Sequence, residues 1–100
     1  MKNVIAAMLV SVTVMASGAA VAGDAAAGKA KSATCAGCHG PAGVSANPLW
    51  PNLAGQKEAY LAKQMKAFRD GGRSDPMMAP MAKPLTDDDI ANLAAYYSSL

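Results

Sequence analysis

Apolar residues run almost unbroken from Val4 to Val14, whereas from Asp24 onward they recur at helical spacing in short segments split by glycine and proline. Asp24 is a suitable N-cap for an alanine-rich run reaching about Thr34. Gly28 and the alanines give this helix no bulky face, which predicts close approach to another helix. A second helix is predicted from about Lys57 to Asp70. Its Leu61, Met65 and Phe68 fall at i, i+4 and i+7 to form one apolar stripe. Lys63, Lys66 and Arg69 occupy other faces as solvated positions, and Gly71-Gly72 ends the helix.

The last helix has the strongest start signal. Thr86 caps it, Asp89 lies three residues on, and Leu85 and Ile90 are placed as a hydrophobic staple. Asp87, Asp88 and Asp89 favour the positive end of the helix dipole. Ile90, Leu93, Ala94 and Tyr97 form its buried face, which is predicted to cross the first helix at Gly28, where the missing side chain admits an aromatic ring. Between helices, residues 41–55 read as an irregular loop punctuated by Pro41, Pro48 and Pro51. Residues 75–84 read as a second, stiff, proline-rich loop. After residue 22 the β-branched residues are Thr34, Val44, Thr86 and Ile90, too few for a sheet, so the expected class is all-α with three main helices.

The N-terminal run belongs to a different category. Met1-Lys2-Asn3 is a short, weakly basic start, and Ala20-Val21-Ala22 after the apolar stretch is an A-x-A cleavage signal. The expected organisation is a cleaved signal peptide over residues 1–22 and one small domain over residues 23–100. The competing reading is an uncleaved anchor, since Asn3 to Gly23 approaches bilayer-spanning length; Ser11, Thr13, Ser17 and Gly18 dilute it. After cleavage no stable membrane insertion is expected.

The remaining domain is short of large apolar residues, with Leu49, Trp50, Leu53, Leu61, Met65, Phe68, Ile90 and Leu93 as the main ones. Apolar burial alone barely sustains a domain of this size, so something else must fill its centre. Of nine basic residues, Lys2 leaves with the leader, and eight then stand against seven acidic ones, about +1. Without a basic stripe interleaved with aromatics, nucleic acid is not an expected partner.

Cys35-Ala36-Gly37-Cys38-His39 supplies the missing centre, because it is the attachment signature of a c-type haem. Two thiols one helical turn apart add to the porphyrin vinyl groups as thioethers. The imidazole directly after them sits under the iron. These are the only cysteines and the only histidine. A thioredoxin-type dithiol needs a strand–helix context that is lacking here. Structural zinc needs four ligands, and no second Cys/His pair exists. A plain disulfide is the simplest rival in an exported chain. One covalent haem c, bound by Cys35, Cys38 and His39, is therefore expected.

With one histidine, bis-histidine ligation within the chain is impossible. Met65 lies on the helical stripe and reads as packing. Met77, Met78 and Met81 lie in the stiff second loop, which suits a weak neutral ligand that must be held near the iron. A thioether ligand raises the reduction potential by favouring ferrous iron. The other loop methionines read as apolar plugs over the haem edge.

The chain resembles the short bacterial class I cytochromes c, of the kind that also occurs in tandem in dihaem cytochromes. The resemblance covers Gly23 to Leu100. It rests on the haem motif, on Pro51-Asn52-Leu53-Ala54-Gly55-Gln56, Tyr60-Leu61 and Gln64-Met65, on Phe68-Arg69 and Gly71-Gly72-Arg73, and on Met78 through Ile90. The resemblance implies the small cytochrome c fold wrapped around one haem, with Met78 as the distal iron ligand, Met81 as second choice and Met77 as third. Trp50 and Tyr60 are positions that the family uses around haem, and ordinary core packing remains open for both. A loop proline carbonyl, Pro48, is the expected acceptor for the His39 ring nitrogen.

The resemblance further implies a periplasmic one-electron carrier without catalytic residues, probed through its haem edge by redox partners such as a quinol-oxidising complex and a terminal oxidase or reductase. A monomer is expected. Two rival functions are a haem c subunit docked in a larger oxidoreductase and a haem-based sensor or peroxidase-like protein whose methionine dissociates.

Overall fold

The computed structural model describes residues 10, 11 and 23–100. Apart from Val10 and Ser11, the expected leader lies outside the described residues. Among the described residues there are five helices and no strand: α1 (Ala25–Lys31), α2 (Ala33–His39), α3 (Glu58–Asp70), α4 (Met78–Ala82) and α5 (Asp87–Ser98). None of them is long and apolar enough to cross a membrane.

Asp24 starts α1 as its composition predicts, accepting from the amides of Ala26 at 2.9 Å and Ala27 at 3.4 Å. Its own amide donates to Asn92 Oδ1 at 2.8 Å and fixes the start of α1 to the flank of α5. The run expected to continue to Thr34 breaks at Ser32. There the serine hydroxyl donates back to the Lys29 carbonyl at 2.7 Å, a local bond that competes with helix continuation. The motif residues thus form a separate short helix, α2. It stops at Gly40, whose φ of 85° suits glycine and whose absent Cβ leaves room for the Val44 carbonyl.

The α1–α5 crossing is the most extensive helix contact. A Cβ on Gly28 would come within 1.9 Å of the Asn92 carbonyl oxygen and 2.8 Å of Tyr96 Cβ. Backbone against backbone, with the root of an aromatic side chain beside it, replaces the aromatic ring expected in that notch. The predicted inner face of α5 is buried, with Ile90, Leu93 and Ala94 at 0% exposure, and Tyr96 joins it. Its capping box is complete: Thr86 Oγ1 accepts from the Asp89 amide and Asp89 Oδ2 from the Thr86 amide, each at 3.0 Å.

α3 buries Leu61 and Phe68 and half-buries Met65. Arg69 is not merely solvated. It binds Asp87 Oδ1 at 2.8 Å and the Leu85 carbonyl at 3.2 Å, clamping the end of α3 to the start of α5, and pairs with neighbouring Asp70. The stretch expected to be loop contains α4. Asp75 Oδ1 accepts from the amides of Met77 and Met78, each at 2.8 Å, which starts the turn. Pro80 is tolerated because the first-turn N–H groups of a helix have no internal partner. Leu49, counted among the apolar residues available for burial, is instead 84% exposed.

The crossing gives a direct stability test. Gly28→Ala is expected to lower the stability of the purified protein by about 1–3 kcal/mol in denaturant titration, because helix backbones rather than a flexible side chain must move. Gly37→Ala, where a Cβ meets nothing within 4 Å, is expected to be neutral or slightly stabilising.

Candidate cofactor cleft

The short helix α2 puts Cys35 and Cys38 one turn apart, both half-buried and both free thiols, with buried His39 as its last residue. His39 Nδ1 lies 2.8 Å from the Pro51 carbonyl oxygen. A carbonyl only accepts, so Nδ1 carries the proton and Nε2 keeps its lone pair. The acceptor is Pro51 and not the expected Pro48. Pro51 is presented by a loop clipped just beyond it: the Gly43 carbonyl accepts from the amides of Leu53 at 2.8 Å and Ala54 at 3.0 Å, and the Gly55 amide donates to the Tyr97 carbonyl at 2.9 Å. Gly43, at φ 73°, packs against Ala54 and the Tyr97 ring too tightly for any side chain.

These elements enclose a mainly apolar cleft of about 740 Å³. Cys35, Cys38 and His39 line it from α2. Trp50, Pro51 and Leu53 line it from the first loop, and Leu61, Met65 and Phe68 from α3. Met77, Met78 and Met81 line it from α4 and its approach, so the predicted site residues converge on one cleft. Met78 is half-buried, whereas Met77 and Met81 are 53% and 46% exposed. Trp50 and Tyr60 both line the cleft, and Tyr60, at 48% exposure, is not core.

The donor set decides what the cleft can take. Two thiols on one turn, an imidazole with its free nitrogen chosen by a carbonyl, and nearby thioethers match a covalently held haem in an apolar slot. Among the described residues no three His, Cys, Asp or Glu side chains group so as to hold a bare metal ion.

Two participants escaped sequence reasoning. Arg73 lines the cleft with its guanidinium 4.5 Å from the Phe68 ring centre and bound to Gln64 Oε1 at 2.8 Å. Its place after Gly71-Gly72 signalled only a helix end. Asp75 was read as loop, although Asp followed by Pro is a turn-starting pair. The amides of Met78 and then Met77 hold its carboxyl below the ordinary value of 3.8.

The family profile described as Cytochrome c matches residues 25–100. Cytochrome c-554(548) of Halomonas halodenitrificans is 53% identical over 81 residues, spanning 78% of this chain and 98% of that protein. Cytochrome c4 of Pseudomonas aeruginosa is 51% identical over 78 residues, spanning 78% of this chain but only 39% of that protein. The crystal structure of reduced recombinant cytochrome c4 from Pseudomonas stutzeri superposes with a TM-score of 0.75 at 45% identity, covering 78% of this chain and 46% of that one. The chain therefore spans less than half the length of the c4 proteins.

An apolar cleft of this size needs an apolar occupant. Filled only with water, it would leave apolar side chains wet in a domain that apolar burial alone barely sustains. A Cys35→Ala/Cys38→Ala double variant is expected to lose cooperative thermal unfolding by calorimetry. A sharp transition in that variant would contradict the dependence of the fold on its occupant.

Proposed function

The chain belongs to the cytochrome c family, and from that premise we propose that it is a periplasmic one-electron carrier in which Cys35 and Cys38 would hold the haem as thioethers and His39 and Met78 would bind its iron. Its cofactor is covalent haem c, and its class is electron transfer rather than enzymatic catalysis. The observation that carries the residue assignment is the convergence of the Cys35–His39 turn and the half-buried Met78 on a single cleft.

Bound haem supplies a one-electron ferric/ferrous couple. His39, fixed through Nδ1 by Pro51, offers Nε2 without rotational freedom. Met78 offers a soft neutral sulfur that favours the reduced state. Its backbone is held by Asp75, so little reorganisation is needed between redox states. Leu61, Met65 and Phe68 exclude water from the slot. Iron held by both His39 and Met78 would have no place for oxygen or peroxide, which favours carriage over sensing or peroxidase chemistry. Redox proteins are the partners this reading calls for, with a quinol-oxidising complex as donor and a terminal oxidase or reductase as acceptor. Residues 1–22 are proposed to direct export and to be removed after Ala22; N-terminal sequencing of the secreted protein starting at Gly23 is the expected result.

Met78→Ala is expected to lower the midpoint potential and to open the reduced protein to carbon monoxide, read by spectroelectrochemistry and by the Soret shift. Met81→Ala should do neither. Reversed behaviour of the two variants would move the ligand to Met81, and ready carbon monoxide binding by the wild type would favour the sensor or peroxidase-like reading.

Acid should loosen the Met78 segment in a defined window. The folded Asp75 carboxyl titrates below 3.8, so its ionised form stabilises the turn at every pH above that value. The contribution fades as pH falls through the lowered folded value. The sulfur-to-iron absorption of the oxidised protein is expected to weaken with proton linkage as pH falls through that lowered value, and Asp75→Asn, which keeps an acceptor oxygen but cannot ionise, should flatten that linkage.

A further inference from the structure

Tyr97 is 2% exposed, yet its hydroxyl oxygen is buried with no hydrogen-bond partner. An uncompensated buried hydroxyl is destabilising, and phenylalanine would fill the same space without that penalty. The ring is held on several sides: it meets the Tyr96 ring tilted at 51° with centres 5.1 Å apart, packs against Gly43, and belongs to the core cluster against which Cys35 lies. It lines the cleft together with Cys35. The hydroxyl lies beside the Cys35 sulfur and the Ser32 hydroxyl and completes a bond to neither. Burial, and then the Cys35 sulfur, push its pKa up, so it keeps its proton across the physiological range as a fixed donor.

Of the two neighbours, Ser32 donates to the Lys29 carbonyl at 2.7 Å and keeps an oxygen able to accept, which makes it the rival acceptor. Cys35 changes character on haem attachment. As a thiol it competes to donate; as a thioether it has no proton and only accepts. Thr34 Oγ1 also lies 3.9 Å from this sulfur but is exposed and turned toward the Lys31 carbonyl at 3.5 Å. We propose that Tyr97 is a positioning residue whose hydroxyl donates a hydrogen bond to the Cys35 thioether sulfur, fixing that attachment and drawing electron density from the haem periphery. This rests on attachment through Cys35. A donor at the sulfur stabilises the more electron-rich, reduced state, as hydrogen bonding around a redox centre generally does. The hydroxyl thus raises the potential.

The test compares wild-type holoprotein with Tyr97→Phe, which removes one oxygen and leaves the ring. Both a lower midpoint potential and a lower thermal midpoint are expected for the variant. Either an unchanged potential or an unchanged or raised melting temperature overturns the proposal, since loss of an unpartnered hydroxyl would be neutral or stabilising. In case the variant does not mature, the reduced wild type gives a second reading by proton NMR. A slowly exchanging Tyr97 hydroxyl proton with a nuclear Overhauser contact to the Cys35 β-protons supports the bond, and contact to Ser32 alone, or fast exchange, overturns it. Peptide mass mapping separates this from its premise: a wild-type chain lacking haem on Cys35 overturns the attachment itself, whatever Tyr97 does.

Discussion

An imidazole can present only one nitrogen to a metal while the other is occupied, and the Pro51 carbonyl, 2.8 Å from Nδ1, decides which. The contact joins the last residue of the motif helix to a loop twelve residues on. It sets the tautomer and rotation of His39 and the position of the first loop along the cleft together. The clips from Gly43 to Leu53 and Ala54 and from Tyr97 to Gly55 keep that carbonyl in place. A backbone acceptor is well suited to the task because no side-chain rotamer or titration can withdraw it.

The helical frame makes this contact possible in so small a domain. α1 and α5 cross with almost no side chain between them at Gly28, so the helix following α1 is delivered to a fixed place with its cysteines toward the cleft. At the other end of α5, Arg69 ties α3 to the capping turn through Asp87 and the Leu85 carbonyl. As an exposed pair the Arg69–Asp87 contact is worth little by itself. Its value is geometric, since α3 and the Met78 segment both border the same cleft.

Sequence patterns revealed most of the helices because those depend on local chemistry. The Thr86–Asp89 box, the Leu61–Phe68 stripe and the Asp24 cap are all written within a few residues. The break at Ser32 was not legible, since serine at that position has ordinary helix propensity and only its bond back to Lys29 ends the run. α4 was hidden by Pro80, whose position in the first turn makes it harmless. Choosing Pro51 over Pro48 required the folded path of the loop. The cysteines and histidine were readable because the attachment motif has a fixed spacing, and the cleft methionines because they cluster in a proline-rich segment. The roles of Tyr97 and Arg73 depend on the folded chain, whereas Asp75 makes a local turn that its Asp-Pro pair could have signalled.

A haem held on Cys35 and Cys38, with His39 nitrogen and Met78 sulfur on its iron, would complete this fold. Visible and near-infrared spectra of the exported protein in both redox states, with thiol alkylation on the same sample, test it most directly. The expected result is a coloured protein with a sharp reduced spectrum, a weak sulfur-to-ferric-iron band when oxidised, and no alkylatable cysteine. A colourless product with two reactive thiols, from a host competent in haem attachment, would contradict it.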